Sequence, residues 1–403
     1  MSEFLGLTFL FAGFVSISFV SFIYRPVGYA LIVAFSVRAL AACVHYWVFP
    51  FPQGVADAVA FERTAWRWAQ GGFFHALFQF DPTGTGAYSW AASLLYAVTD
   101  RSALMLQALN VLGGTLIVLN AYLITKELWG TNRAKIVAWF LALFPQLIQL
   151  SAVTHREVAI VYPFTLGAFF LVKWGRAKRV RFLILALLFF SVPTLIHGGF
   201  IASLVAAALF AGGSAFRASL RRLLVRKIKI PVVVVLLIVG GLGASVVITG
   251  EMPEVSKVGD LTEVTQKQIA DRMQAAARGG AVYRGINPTG SGNVVIQTPL
   301  RLAYFFFSPM PWDVRKAKHL LGLLDAALYF VIFWGLWRSR HRIWQNRGAL
   351  AILFVVIVTA SAFALGTSNF GTSIRHRAKF VPILAALWAS PVFRTWIVLT
   401  KHR

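Results

Sequence analysis

A short polar segment near the end of the chain, residues 367–379, concentrates positive charge between two apolar runs. Its charged and titratable side chains are Arg375, His376, Arg377 and Lys379. Arginine suits phosphate because its planar guanidinium presents several donors in a fixed fork. The cluster therefore predicts an anion site whose substrate-binding residues are these four. Contact with lipid headgroups is the structural alternative.

Two acids in an earlier polar segment are candidates for catalysis. Asp57 and Glu62 fall in a stretch, residues 57–70, that is typical of an amphipathic helix ended by a Gly-Gly pair. A carboxylate beside an acceptor hydroxyl can take its proton. The alternatives are a helix N-cap for Asp57 and a surface ion pair with Arg63 and Arg67 for Glu62. Interleaved aromatic residues predict that this helix lies at the lipid–water boundary.

A third candidate is the very short loop Thr154-His155-Arg156-Glu157. Thr154 and Glu157 have the spacing of a capping box at the start of the next helix. That pattern does not account for His155 and Arg156, which together offer a fixed cation to an anion. Both are predicted to bind substrate, with a purely structural role as the open alternative.

The composition of the 403-residue chain predicts that these sites belong to a membrane protein. Apolar residues make up 58% of it and charged residues 13%, against about 45–50% and about 25% in soluble proteins. A soluble fold could not bury so much apolar surface, which excludes a cytosolic enzyme, a disordered chain and a disulfide scaffold. The lone Cys43 leaves no disulfide framework and no thiolate metal cluster.

Long apolar runs predict a single all-α polytopic domain over residues 1–403, with about 11 transmembrane helices and a range of about 9–13. The runs are 4–23, 28–48, 103–125, 135–153, 158–173, 182–196, 199–214, 231–249, 320–337, 349–366 and 380–398. The three between residues 158 and 214 are short. The last two of these fit either shallow helices or a hairpin bent at His197.

The Lys and Arg residues predict the orientation of the chain. With the turn at Arg25 in the cytoplasm, the short basic loops gather on that side, as the positive-inside rule requires. The N-terminus then lies outside and the C-terminus inside. The net charge of +25 therefore reflects topology, and nucleic acid is not an expected partner. The outer side receives two long segments, 49–102 and 250–319, so chemistry is expected there.

The second outer segment, residues 250–319, begins with a polar stretch that predicts one or two helices. Residues 279–292 are rich in Gly, Asn, Pro and Ser and predict a mobile binding loop that carries Arg284. Residues 299–312 are apolar but too short to span, which predicts a re-entrant or interfacial piece with Arg301. Arg284 and Arg301 are predicted to contact substrate.

Two charged residues fall inside predicted spans. Arg38 lies near the middle of one span and Asp325 early in another. Charge in a membrane usually faces a partner or a cavity. A pair between these two residues is one option, but their different depths argue against it.

Outer acids, outer cations and a binding loop in a polytopic protein suggest sugar transfer from a lipid-linked donor. Nucleotide-sugars are absent outside the inner membrane, so the donor would arrive as a polyprenyl phosphate or diphosphate sugar. Arginines would hold the leaving phosphate and offset its developing charge. A carboxylate would accept the proton of the acceptor hydroxyl. These residues do not by themselves imply a metal, and no other cofactor is expected.

Several stretches resemble known families. Asp57-x-x-x-Phe61-x-x-x-Ala65 ahead of Gly71-Gly72 resembles the first-loop acidic motif of GT-C membrane glycosyltransferases. The span ending in Lys126-Glu127-Leu128-Trp129-Gly130, the run from Phe144-Pro145 to Ser151, and His155-Arg156-Glu157 are similar to later parts of those enzymes. Ser308-Pro309-Met310-Pro311-Trp312, and Asn369-Phe370-Gly371-Thr372 leading to Arg375-His376-Arg377, resemble Wzy-like polysaccharide polymerases.

The resemblance implies a GT-C-like enzyme of the bacterial inner membrane that polymerises exopolysaccharide or O-antigen repeat units on the periplasmic face. It implies Asp57 as the acidic catalytic residue and Arg156, Arg375 and Arg377 as phosphate ligands. The implied partners are a polyprenyl-(di)phosphate-linked saccharide, membrane lipids and other polysaccharide-assembly proteins.

Three other functions fit the same features. They are a flippase or transporter for lipid-linked oligosaccharide, a GT-C enzyme that adds one sugar to a lipid or protein, and a non-catalytic subunit of an envelope complex. Transporters usually carry internal repeats with matching broken helices. The sequence has no convincing self-similarity, which favours the enzyme.

Overall fold

The computed structural model describes residues 2–51, 54–55, 57–81, 86–223, 283, 294–314, 317–367 and 369–390. The elements in these residues are helices joined by short turns, which confirms the predicted all-α class. The predicted polar helices of residues 251–278, Arg284 and nearly all of the predicted binding loop lie outside the described residues.

The helices are numbered here in chain order. The first eight are α1 (Ser2–Ile23), α2 (Gly28–Trp47), α3 (Asp57–Ala69), α4 (Phe73–Phe78), α5 (Gly86–Val98), α6 (Ala103–Trp129), α7 (Thr131–Ala142) and α8 (Pro145–Ser151). The others are α9 (Glu157–Ala177), α10 (Val180–Ile196), α11 (Ile201–Leu223), α12 (Val294–Phe307), α13 (Ala317–Gln345), α14 (Arg347–Gly366), α15 (Phe370–Arg377) and α16 (Val381–Trp388).

Within the described residues, six helices are long and apolar enough to cross a membrane, and a bent pair would make seven. The six are α1, α2, α6, α9, α11 and α14. The predicted total of about 11 is not confirmed. The predicted span 231–249 lies outside the described residues, and the predicted span 380–398 is described only as far as residue 390.

The predicted span 135–153 is broken into α7 and α8, which together are apolar and long enough to cross a membrane but meet at a bend of 62°. Pro145 is the cause. Its ring disfavours helical geometry at the preceding residue, and Phe144 accordingly has an extended backbone with φ −69° and ψ 114°. The helix restarts with proline at its first position, where no N–H is required.

The three short spans are resolved in different ways. The span predicted at 158–173 is longer than predicted, since α9 runs from Glu157 to Ala177 and has 21 residues. The next two form a hairpin that breaks at His197, whose Nδ1 accepts the Gly199 N–H at 3.3 Å. The hairpin alternative is therefore correct.

Helix α6 lies at the centre of the bundle and packs against α1, α2, α7 and α9. Small residues allow these close approaches, as is common between membrane helices. A Cβ added to Gly113 of α6 would lie 2.7 Å from Cγ1 of Val158 in α9. Ser102 caps the start of α6 by accepting the Met105 N–H at 3.2 Å.

Arg38 is buried within the bundle and is paired with backbone rather than with Asp325. Its guanidinium donates to the carbonyls of Ala142 at 2.9 Å and Leu141 at 3.0 Å. These are carbonyls at the C-terminal end of α7, which have no partner within that helix. Arg38 therefore stabilises the break between α7 and α8.

Helices α3, α4 and α5 form a small unit outside the long helices. The location of α3 at the lipid–water boundary stays a prediction, and its aromatic residues pack inward, since Phe61 is buried and Trp66 is partly buried against α5. The exposed aromatic face belongs to α4 instead, where Phe74 is 74% and Phe78 83% exposed. This unit fixes the position of Asp57.

Candidate functional site

Four connections between helices meet at one end of the bundle. They are the start of α3, the turn between α8 and α9, the break between α10 and α11, and α15 with the residue pair that follows it. Side-chain contacts join them in succession, from Asp57 to Arg375, from Arg375 to Glu157, and from Glu157 to Lys379. Residues far apart in sequence therefore form one charged cluster.

Helix α15 presents most of the cations. Its N-cap Asn369 accepts the Gly371 N–H at 2.7 Å, which satisfies a donor that the helix cannot. Arg375 and Arg377 occupy the last turn, where positive charge suits the helix dipole. Because successive helical residues turn by about 100°, these two arginines point to nearly opposite sides of α15.

Asp57 and Arg375 form the open part of the cluster. Arg375 Nη1 donates to Asp57 Oδ2 at 2.7 Å, and the two side chains are 23% and 55% exposed. Partial burial raises the pKa of Asp57, but the hydrogen bond and charge of Arg375 outweigh it and leave the pKa below its ordinary value. Asp57 is the first residue of α3, and its lowered pKa keeps this partly exposed carboxylate ionised at physiological pH.

His155 lies directly beneath this pair. Its Nε2 is 3.3 Å from Arg375 Nη1 and 4.0 Å from Asp57 Oδ2. Asn110 fixes the turn by donating to the carbonyls of Val153 at 2.7 Å and His155 at 3.1 Å. Burial lowers the pKa of His155 to about 4. The charge of Glu157 raises this pKa, whereas the nearby cations lower it further. The imidazole is therefore neutral at physiological pH.

Glu157 belongs to the charged cluster, although the sequence analysis assigned it only a capping role. The predicted capping box is wrong, because Arg156 precedes α9 as its N-cap and no side chain caps the helix. The buried carboxylate of Glu157 instead lies 3.0 Å from Lys379 Nζ and 3.5 Å from Arg375 Nε. In the sequence, the spacing of Thr154 and Glu157 is fully explained by a capping box, so no pattern predicted the contacts of Glu157 with Lys379 and Arg375.

Lys379, His376 and His197 form the buried side of the cluster. Lys379 Nζ lies 2.7 Å from His376 Nδ1, and the rings of His376 and His197 are 5.4 Å apart. Burial lowers the pKa of Lys379 to about 8, although Glu157 opposes the shift. Burial, with the charge of Lys379, also lowers the pKa of both histidines well below the ordinary value. The prediction that Lys379 and His376 face the substrate is not supported by this burial.

Arg377 is likewise closed off, contrary to its predicted role as a phosphate ligand. It is fully buried and donates to Asp325 Oδ2 through Nε at 2.9 Å and Nη2 at 2.5 Å. Its Nη1 donates to the carbonyls of Phe306 at 2.8 Å and Ser308. With its fork occupied by these partners, Arg377 joins α15 to α12 and α13.

Arg156 lies beside the Asp57–Arg375 pair, and its predicted role in substrate binding stays a prediction. It is partly buried, donates to the Ile196 carbonyl at 2.9 Å and lies with its guanidinium carbon 5.7 Å from the centre of the Phe61 ring. Its positive charge is among those that lower the pKa of Asp57. Arg156 is therefore a second guanidinium beside the Asp57–Arg375 pair.

Glu62 has its partners outside this cluster. It lies on the buried face of α3 and accepts both Nε and Nη2 of Arg101, at 2.9 and 2.8 Å. It also accepts the hydroxyl of Tyr96 at 3.2 Å. The alternative of a surface pair with Arg63 and Arg67 is therefore wrong, because the buried carboxylate of Glu62 pairs with Arg101, and the catalytic role of Glu62 stays a prediction. Arg301 is buried within α12.

Comparison with solved structures addresses the fold. No family model matches the sequence, and no curated protein sequence matches it. The fold is similar to that of the archaeal oligosaccharyltransferase AglB from Archaeoglobus fulgidus in complex with an inhibitory peptide and a dolichol-phosphate, with 17% identity and a TM-score of 0.51 over 92% of this chain and 51% of that one. The apo oligosaccharyltransferase from the same organism gives 15% identity and a TM-score of 0.48 over 92% and 52%.

The chain therefore spans about half the length of the solved structures to which it is similar. At an identity of 17% the likeness concerns the fold alone, which in the described residues is a bundle of helices with six long and apolar enough to cross a membrane. Chemically, the cluster offers an ionised carboxylate next to a partly exposed guanidinium. Such a site can bind an anion and accept a proton within a few ångströms of each other.

Proposed function

We propose that this protein is a membrane glycosyltransferase that transfers sugar or oligosaccharide repeat units from a polyprenyl-(di)phosphate donor. The observation that carries the proposal is the Asp57–Arg375 pair, with its 2.7 Å contact at a partly exposed end of the bundle. The fold adds support, since the similar AglB structure holds a dolichol-phosphate, which is itself a polyprenyl-type phosphate. Growth of exopolysaccharide or O-antigen chains on the periplasmic face is the reaction that we favour.

In the proposed reaction Arg375 binds the phosphate attached to the donor sugar, with Arg156 beside it. The acceptor hydroxyl attacks the anomeric carbon, so a new C–O bond forms as the bond to the phosphate oxygen breaks. Asp57 accepts the hydroxyl proton. The departing (di)phosphate takes the bonding electrons, and the guanidinium offsets the negative charge that it gains.

Reconstitution of the purified full chain in vesicles with a polyprenyl-diphosphate oligosaccharide tests this reaction. Wild-type protein should lengthen the saccharide and release polyprenyl diphosphate. Asp57→Asn should lower turnover by about 10²–10⁴-fold, the usual contribution of a general base. Glu127→Gln, which removes an exposed pair with Arg176 at the far end of α6, should leave turnover unchanged. Donor translocation without new glycosidic bonds would identify a flippase and overturn the proposal.

Accessibility labelling tests the proposed periplasmic placement. In a Cys43→Ser background, Arg375→Cys should react with a membrane-impermeant maleimide added outside spheroplasts. Cys43 is the lone native cysteine, so the signal reports position 375. Reaction only from the cytosolic side would contradict the proposed location of the site.

A further inference from the structure

Arg375 is held between two carboxylates that differ in their surroundings. On one side Nη1 contacts Asp57 at 2.7 Å, and that carboxylate is 55% exposed. On the other side Nε lies 3.5 Å from Oε1 of Glu157, which is buried. The two contacts use different nitrogen atoms, so one can be lost while the other is kept.

We propose that Glu157 is a positioning residue, which holds Arg375 by its Nε while the donor phosphate displaces Asp57 from Nη1. This inference rests on the proposed function and deepens it. Donor binding would then do two things at once, because the phosphate gains a guanidinium and Asp57 loses its partner. The base would become free only when the donor is in place.

The surroundings of the two carboxylates decide which one leaves. Asp57 is half in solvent, where an ion pair contributes little and is readily exchanged. Glu157 is also bound to the buried Lys379 at 3.0 Å, so its departure would leave a buried ammonium without a carboxylate. An uncompensated buried charge is costly. The phosphate therefore replaces the exposed carboxylate.

The contacts of Glu157 Oε1 are slightly long for hydrogen bonds. Its distances are 3.5 Å to Arg375 Nε and 3.6 Å to His155 Nδ1, whereas such bonds are usually about 2.7–3.2 Å. Sites without substrate are often looser than occupied ones. A shift of a few tenths of an ångström, once Asp57 no longer pulls on Nη1, would close the Arg375–Glu157 contact.

Binding of a polyprenyl monophosphate to the full chain in nanodiscs tests the inference. Glu157→Gln should weaken binding by about tenfold, a change of about 1.4 kcal/mol. Asp57→Asn should bind at least as tightly as wild type, because it removes the competing carboxylate. Glu127→Gln is the matched control for a lost acid and should bind like wild type.

A double variant separates positioning from simple charge pairing. Glu157→Gln with Lys379→Met removes both buried charges, and such replacements are often neutral for stability. If Glu157 positions Arg375, the double variant still binds about tenfold more weakly than wild type. Wild-type affinity in the double variant, or in Glu157→Gln alone, would overturn the inference. Failure of wild-type protein to bind the probe would instead contradict the proposed function.

Discussion

Two arginines of α15, separated by one residue, each pair with an aspartate, but the two pairs have different surroundings. Arg375 and Asp57 are 23% and 55% exposed, whereas Arg377 and Asp325 are 0% and 11% exposed. Arg377 also donates through Nη1 to the backbone carbonyl of Phe306 in α12 and to that of Ser308 just after it. Arg375 has an exposed carboxylate as its closest partner and is itself partly exposed to solvent.

The difference teaches that charge alone does not define an anion site. A guanidinium that already has a buried carboxylate and two carbonyls has little left to offer a ligand, and removing it would leave those groups unpaired. A guanidinium held by an exposed carboxylate can exchange that partner for phosphate at low cost. The open pair is therefore suited to function and the closed pair to stability.

The largest expected effect comes from removing the closed arginine. Arg377→Ala leaves the buried Asp325 without its counter-charge, and breaking such a pair costs about 3–5 kcal/mol of unfolding free energy. Thermal unfolding in detergent, followed by a fluorescent thiol probe or by light scattering, measures it. A variant that unfolds at the wild-type temperature would show that the closed pair is not a structural tie.

The open arginine should give the opposite result. Arg375→Ala removes the group proposed to stabilise the leaving phosphate, and loss of one such donor typically lowers kcat by about 10²–10³-fold. Its unfolding temperature should stay near that of wild type, because Glu157 keeps Lys379 as a partner. Arg375→Lys retains the charge without the planar fork and should recover part of the activity. Full activity in Arg375→Ala would remove the distinction between the two pairs.

The carboxylates offer a smaller version of the same test. Asp325→Asn should lower the unfolding temperature, because Arg377 would keep a buried charge with weaker partners. Asp57→Asn should change the free energy of unfolding by no more than about 1 kcal/mol, the usual range for an exposed pair. Parallel thermal scans of the two variants compare them directly. Equal destabilisation by both changes would contradict the comparison.

The sequence was sufficient for the fold class and for part of the site. Apolar runs predict long helices because a membrane leaves no alternative for the backbone. The bend at Pro145 follows from local sterics, but the apolar run 135–153 was predicted as one span without that break. The association of Asp57 with Arg375 required the fold, since these residues lie far apart in the chain.

The different exposure and pairing of Arg375 and Arg377 depend on tertiary contacts. Both arginines lie in the same polar segment, and helical geometry at α15 turns them to nearly opposite sides. Which side is open depends on α12 and α13, whose packing against α15 no local pattern reveals. Glu157 was missed for a similar reason, because its partner Lys379 lies in a distant part of the chain.

Lys379 allows a final and smaller test, in which binding and stability respond to pH in opposite directions. Its pKa is about 8 because burial outweighs the attraction of Glu157. The ammonium also contacts His376 and the rings of Phe200 and Phe363. As pH rises through about 8, the site loses one positive charge. Polyprenyl-monophosphate binding should then weaken by at least about threefold, the effect of one charge several ångströms away in water, where Coulomb interactions are weakest.

The stability of the protein should rise over the same interval. The pKa of Lys379 is lowered in the folded state relative to the ordinary 10.5, so between about pH 8 and 10.5 the unfolded chain binds the extra proton. The free energy of unfolding increases with pH wherever the unfolded state binds more protons. Measured as wild type minus the Glu157→Gln, Lys379→Met double variant, binding should fall while the unfolding temperature rises. If both quantities fall together, Lys379 is not the titrating group, and its buried ammonium does not support the phosphate site.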